Sequence, residues 1–191
     1  MTLLFDAETH RYTVNGRAVP SVTTVLSILQ DFGAVPAEVL ARAAEFGTHV
    51  HQAVHMSNEG TLDEASLDPA LAPYLADWRS FLRDMAAEVS QSELRLAHPR
   101  LGYAGTLDTV VSIKGKPVLV DVKTGVVPST VGPQLAAYKV LLEDTFPGFR
   151  VHRRLCVQLT GAGYRIHECK DPADWSVFIS ALNCWRFRNA A

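Results

Sequence analysis

Cysteine is scarce in this sequence: Cys156, Cys169 and Cys184 are the three present in 191 residues. They are odd in number, widely separated and free of any C-x-x-C spacing. They read as small apolar residues of a reduced compartment, and a disulfide-built miniature is excluded. An iron–sulfur cluster held by four cysteines is not available within one such chain. No apolar segment reaches the roughly 18 to 20 residues that a membrane helix requires. Residues 1–6 lack the basic start and apolar stretch of a secretion signal, so the expectation is a cytoplasmic protein with no membrane partner. Charge of one sign is lacking as well. Eighteen basic against twenty acidic residues give a net charge of −2, and a nucleic acid would have to be held by a local patch, not by the global field. No internal repeat, low-complexity tract or linker divides the chain.

What is present is a core-forming composition, 48% hydrophobic and 20% charged with 12 Gly and 10 Pro, as expected of a single domain over residues 1–191. Residues 3–19 alternate as short strands, with Asn15-Gly16 as the dipeptide of a tight hairpin, and Ser21 caps a short helix to Leu29. These form an N-terminal hairpin and short helix within residues 1–30, leaving 36–188 as the core. Pro36 introduces a longer helix to about Met56, whose Val39, Leu40, Ala43, Phe46, Val50 and Val54 predict one buried face. Asp68-Pro69 begins another, with Leu71, Leu75, Trp78, Leu82 and Met85 as its apolar stripe. The period then changes to alternation. Residues 92–97, 103–113 and 117–123 read as strands, 130–142 as a helix, 151–159 and 164–169 as strands, and Asp171-Pro172 opens a last helix to about Arg188. The order from Pro69 is α-β-β-β-α-β-β-α.

The chemistry-bearing part is Gly105-Thr106-Leu107-Asp108 followed by Asp121-Val122-Lys123. A two-residue turn at Lys114-Gly115 pairs residues whose numbers sum to 229, which sets Asp108 against Asp121. Like charges so placed are destabilising unless something neutralises them, and a bound cation would. Asp121 and Lys123 share one strand face, presenting an acid and an amine together, as phosphodiester hydrolysis requires. Alone, D-x-K also fits an exposed polar stripe ended by Gly125. His51 and His55 are four apart on the first long helix, with His49 to one side; imidazole suits Mn²⁺-type sites, although a helical histidine is more often packed or solvated. Gln134 and Tyr138 are likewise four apart, an amide and a phenol able to meet phosphate or base.

Taken in order, Gly47…His51, Gly105-Thr106-Leu107-Asp108, Asp121-Val122-Lys123-Thr124-Gly125 and Gln134…Tyr138 resemble the RecB-like branch of the PD-(D/E)XK nucleases, which includes Cas4-type and phage exonucleases. The resemblance covers roughly residues 49–138. It implies an α/β restriction-endonuclease-like core (α-β-β-β-α-β), with a central mixed sheet flanked by helices and a small N-terminal β-hairpin. It implies a metal-dependent DNA nuclease, an exonuclease by this branch, acting in DNA processing, recombination or repair. Asp108, Asp121 and Lys123 would be catalytic; His51, Asp108, Asp121 and the Val122 carbonyl would bind one or two Mg²⁺ or Mn²⁺ ions; Gln134 and Tyr138 would contact the substrate. Glu93 falls on the preceding strand, where relatives often carry an acid, and is a candidate ligand or ligand-supporting residue. Arg153, Arg154, Arg165, Arg186 and Arg188 are candidates for DNA backbone contacts. The partner is DNA; any helicase or single-strand annealing protein would be a separate chain, and an oligomer is compatible with the reading. Two rivals use the same residues: a structure-selective endonuclease, and a DNA-binding or assembly module that does not cleave.

Overall fold

Asn15 and Gly16 both adopt positive φ, 49° and 78°, the conformation of a two-residue turn whose twist matches its strands. The register follows from it, with Val14 opposite Arg17 and Tyr12 opposite Val19. The computed structural model describes residues 1–31, 33 and 35–190. In it the N-terminal hairpin gains a strand: β1 (Leu3–Asp6), β2 (Arg11–Val14) and β3 (Arg17–Val19) form a three-stranded antiparallel sheet. Ser21 then caps α1 (Val22–Leu26), its Oγ accepting the Thr24 N–H at 2.9 Å.

The main body consists of α2 (Ala37–Asn58), α3 (Ala72–Asp84), β4 (Ala87–Ala97), β5 (Ala104–Ile113), β6 (Lys116–Lys123), α4 (Val131–Thr145), β7 (Arg153–Leu159), β8 (Tyr164–Glu168) and α5 (Asp174–Asn189). From α3 onward this is the element order the sequence pattern predicts. The five strands lie in sequence order, antiparallel except for β6 and β7, which run parallel with α4 as their crossover. The described residues thus form an α/β fold with a five-stranded mixed sheet, a three-stranded antiparallel sheet and five helices. None of these helices is long and apolar enough to cross a membrane.

Both faces of the five-stranded sheet are covered. Val118, Val120 and Val122 of β6 pack with Val50, Leu75, Trp78 and Phe81 of α2 and α3. Leu119, on the opposite face, packs with Val25, Leu135, Leu141 and Phe178 of α1, α4 and α5. A central strand buried on both sides leaves no exposed polar stripe at Asp121. Helix α2 departs from expectation in its first half. Val39 is 46% exposed, whereas Phe46, Val50 and Val54 join the core. Periodicity specifies that a helix has an apolar face, but not how far along it a partner reaches.

The β7–β8 turn is tied to α3 through Asp77. Its buried carboxylate accepts the N–H groups of Thr160, Gly161 and Gly163 at 2.9, 2.7 and 2.8 Å. Asp77→Ala strands three donors, so urea denaturation should show a loss of about 2 to 4 kcal/mol. Asp77→Asn keeps one acceptor oxygen and should fall between Asp77→Ala and the unmodified protein.

Candidate metal centre

The ladder between β5 and β6 ends at Thr109 and Val120, keeping the two-residue register of the Lys114-Gly115 turn. One step further, the two aspartates do different things. Asp108 Oδ2 accepts the Val122 main-chain N–H at 2.7 Å, so a side chain continues the ladder where the strands part. Asp121 is 1% exposed; its Oδ1 accepts from Gln134 Nε2 at 2.7 Å, and its Oδ2 lies 2.6 Å from Lys123 Nζ. That ion pair is the contact made by the buried Oδ2. Burial raises the Asp121 pKa and Asp108 adds to the rise, with Lys123 pulling against both. For Lys123, burial disfavours the charge, but Asp121 and Asp108 outweigh it and the pKa is raised, so the amine stays an ammonium.

His51 of α2 brings Nδ1 to 3.4 Å from Asp108 Oδ2. Glu93 of β4 completes a group in which one ligand atom from each of His51, Glu93 and Asp108 lies within 4.8 Å of the other two. Two carboxylate oxygens and one imidazole nitrogen make a donor set suited to Mn²⁺ and, with retained waters, to Mg²⁺. The buried Asp121 carboxylate beside them fits the same conclusion, since Asp108 and Asp121 repel each other unless a cation offsets them.

Glu93 reaches the group because β4 is irregular. A bulge shifts its register between Val89 and Gln91, and Glu93 itself has φ 52°. Positive φ is unfavourable for a glutamate and recurs where a local strain serves a site. Burial and the Asp108 charge, opposed by His51 and Arg95, push its pKa up to about 7. The segment is held by α2: His55 Nδ1 and Ser92 Oγ are hydrogen-bonded at 2.9 Å, Asn58 donates to the same Oγ at 3.3 Å, and Trp78 Nε1 donates to Asn58 at 2.9 Å. His55 therefore fastens α2 to β4 next to Glu93. His49 faces a separate hollow with Met56 and Leu62.

The remaining sequence candidates fall into distinct places. Gln134 and Tyr138 line the cleft of about 450 Å³ that contains His51, Glu93, Asp108 and Lys123. Both are buried, and the Gln134 amide is engaged by Asp121. Burial holds the Tyr138 phenol well above its usual pKa, in its neutral form. Gly105 is required by that ring, since a Cβ there would lie 2.6 Å from Tyr138 Cε1. Val122 meets the centre through its main chain, its side chain being in the core. None of the five candidate arginines lines the cleft. Arg153 pairs with Glu168, Arg154 with Asp174, and Arg186 donates to the Leu101 carbonyl. Arg95 does line it, beside Phe5 and Tyr12 of the N-terminal sheet; its i, i+2 relation to Glu93 is the signal that could have found it.

The raised Glu93 pKa has a consequence for stability. Between its ordinary value of 4.5 and about 7, the folded protein keeps a proton that the unfolded chain has lost, so in EDTA stability falls as pH rises through this window. Glu93→Gln should flatten that part of a Tm-against-pH profile. Mn²⁺ should raise the Tm of the unmodified protein more at pH 7.5 than at pH 5, because ligation needs the deprotonated carboxylate. Parallel profiles for the two proteins would contradict the assignment.

No protein-family model matches the chain, and no curated protein matches it. Among solved structures it is similar to one titled "Crystal structure of SSO0001", at 16% identity and a TM-score of 0.38 over 71% of each chain. A likeness of that extent assigns neither fold family nor function.

Proposed function

We propose that this protein is a divalent-cation-dependent deoxyribonuclease of the RecB-like PD-(D/E)XK type. In this reading the elements α3-β4-β5-β6-α4-β7 correspond to the α-β-β-β-α-β core. The observation that supports it most is the convergence of His51, Glu93 and Asp108 in one cleft beside the Asp121–Lys123 ion pair. Four short motifs of the sequence thereby contribute to one place, which a solvated polar stripe would not require.

His51, Glu93 and Asp108 would hold the cation, and bound Mg²⁺ or Mn²⁺ would polarise the scissile phosphate and lower the pKa of an attacking water. The buried Asp121 fixes the Lys123 ammonium at the cleft wall, where it can orient that water or meet the charge that develops on phosphate. Gln134 acts through Asp121, holding one oxygen so that the other faces Lys123. Tyr138 and Gly105 shape the floor by their close packing. Glu93 thus takes a ligand's role alongside His51 and Asp108, and Asp121 serves first as the positioning acid of Lys123.

End-labelled linear single- and double-stranded DNA in Mg²⁺, Mn²⁺ or EDTA tests the proposal directly. Metal-dependent loss of label is expected, and Asp121→Ala and Lys123→Ala should each reduce its rate about a hundredfold or more. A circular single strand left intact marks an exonuclease, and a cut circle the structure-selective endonuclease. Binding without cleavage in either metal would overturn the nuclease and leave the non-catalytic module.

A further inference from the structure

The cleft that would admit a DNA strand is lined by two acids, Glu93 and Asp108, with the buried Asp121 just behind them, yet it must accept a polyanion. Lys123 is paired with Asp121 and serves the reacting phosphate, and His51 faces Asp108. Arg95 is the remaining strong cation of the lining. It lies on β4 two residues beyond Glu93, and among the described residues it forms no ion pair. Its guanidinium carbon sits 4.7 Å from the centroid of the Phe5 ring. That ring packs at 4.7 Å on Tyr12, and the Tyr12 hydroxyl is 2.6 Å from Thr106 Oγ1 on β5. The N-terminal sheet therefore reaches the cleft edge and sets an aromatic face against the arginine of β4.

Stacking holds a guanidinium in plane while leaving its N–H edge free, the arrangement by which arginine grips phosphate through two parallel hydrogen bonds. Glu93 and Arg95 are two residues apart on β4 and both line the cleft, so a strand held at the one has a neighbouring phosphate within reach of the other. We propose that Arg95, ordered by Phe5, binds the phosphodiester adjacent to the one presented to His51, Glu93 and Asp108, and so sets the register of the DNA strand in the cleft. This rests on the nuclease reading above and adds to it a substrate-positioning residue and a role for the N-terminal sheet. A contact of this kind positions the backbone without selecting sequence.

The test uses the full chain and a labelled single-stranded oligonucleotide in which one phosphate at a time is replaced by an uncharged methylphosphonate. Binding is read in Ca²⁺ and cleavage in Mg²⁺ or Mn²⁺. Arg95→Ala should weaken binding and raise KM by about ten- to a hundredfold, the range for losing a charged hydrogen-bonding group, with a smaller fall in kcat. Arg95→Lys should recover only part, and Phe5→Leu should fall between Arg95→Ala and the unmodified protein. The neutral linkage next to the cleavage position should weaken binding to the unmodified protein by a similar factor and add nothing further in Arg95→Ala. Thermal melts of all three variants check that the fold is kept; if Arg95→Ala melts early, the methylphosphonate series on Arg95→Lys carries the comparison. Losses that multiply at every linkage, or an unchanged KM in a protein that cleaves, would overturn the role of Arg95 and leave the nuclease standing. Neither binding nor cleavage by the unmodified protein would overturn both.

Discussion

Glu93, Asp108 and Asp121 bring three carboxyl groups to one end of a largely buried sheet, with Lys123 as the ammonium placed among them. Packing forces them together. The β5–β6 register places the two aspartates at the point where the ladder ends, and the irregularity of β4 turns Glu93 toward them. Burial and mutual repulsion then raise the pKa values of Glu93 and Asp121. A molecule that concentrates like charge in this way gives up stability for it, and a cation at the centre would remove the repulsion while taking a defined set of ligands.

Much of the surrounding structure serves to hold that arrangement still. Asp121 is fixed from one side by Gln134 on α4 and from the other by Lys123 two residues along its own strand. Glu93 is steadied through its neighbour Ser92, which His55 and Asn58 tie to α2, and Asn58 is in turn fixed by the buried Trp78. Gly105 admits the Tyr138 ring where any side chain would collide. The Gln158 amide donates to the Gly125 carbonyl at 2.8 Å and pins the chain just past Lys123. These contacts come from both faces of the sheet, so the centre depends on the packing of α2 and α4 alike.

The parts legible in the sequence are those governed by local rules. Lys114 and Gly115 both adopt positive φ, and that turn alone sets the β5–β6 register. Asn15-Gly16 does the same for the N-terminal hairpin, and the alternation of period recovers the element order from α3 to α5. The parts that escape depend on distant partners. Asp108 answers Val122 and not Asp121 because the strands separate there. The bulge in β4 that turns Glu93 has no turn residue to announce it. His49, His51 and His55 are equivalent by type and close in spacing, and only the position of β4 separates the cleft residue from the fastening one. The pairing of β1 with β2, and the reach of Phe5 to Arg95, are likewise tertiary facts.

The central claim is that His51, Glu93 and Asp108 form one cation site. Titration of the purified protein with Mn²⁺, followed by the loss of the free-ion electron paramagnetic resonance signal, measures it without any DNA. The account predicts saturable binding that Asp108→Ala and His51→Ala each weaken at least tenfold, in line with loss of a metal ligand or its immediate support. Mn²⁺ affinity indifferent to both substitutions, in proteins that melt as the unmodified one does, would contradict it.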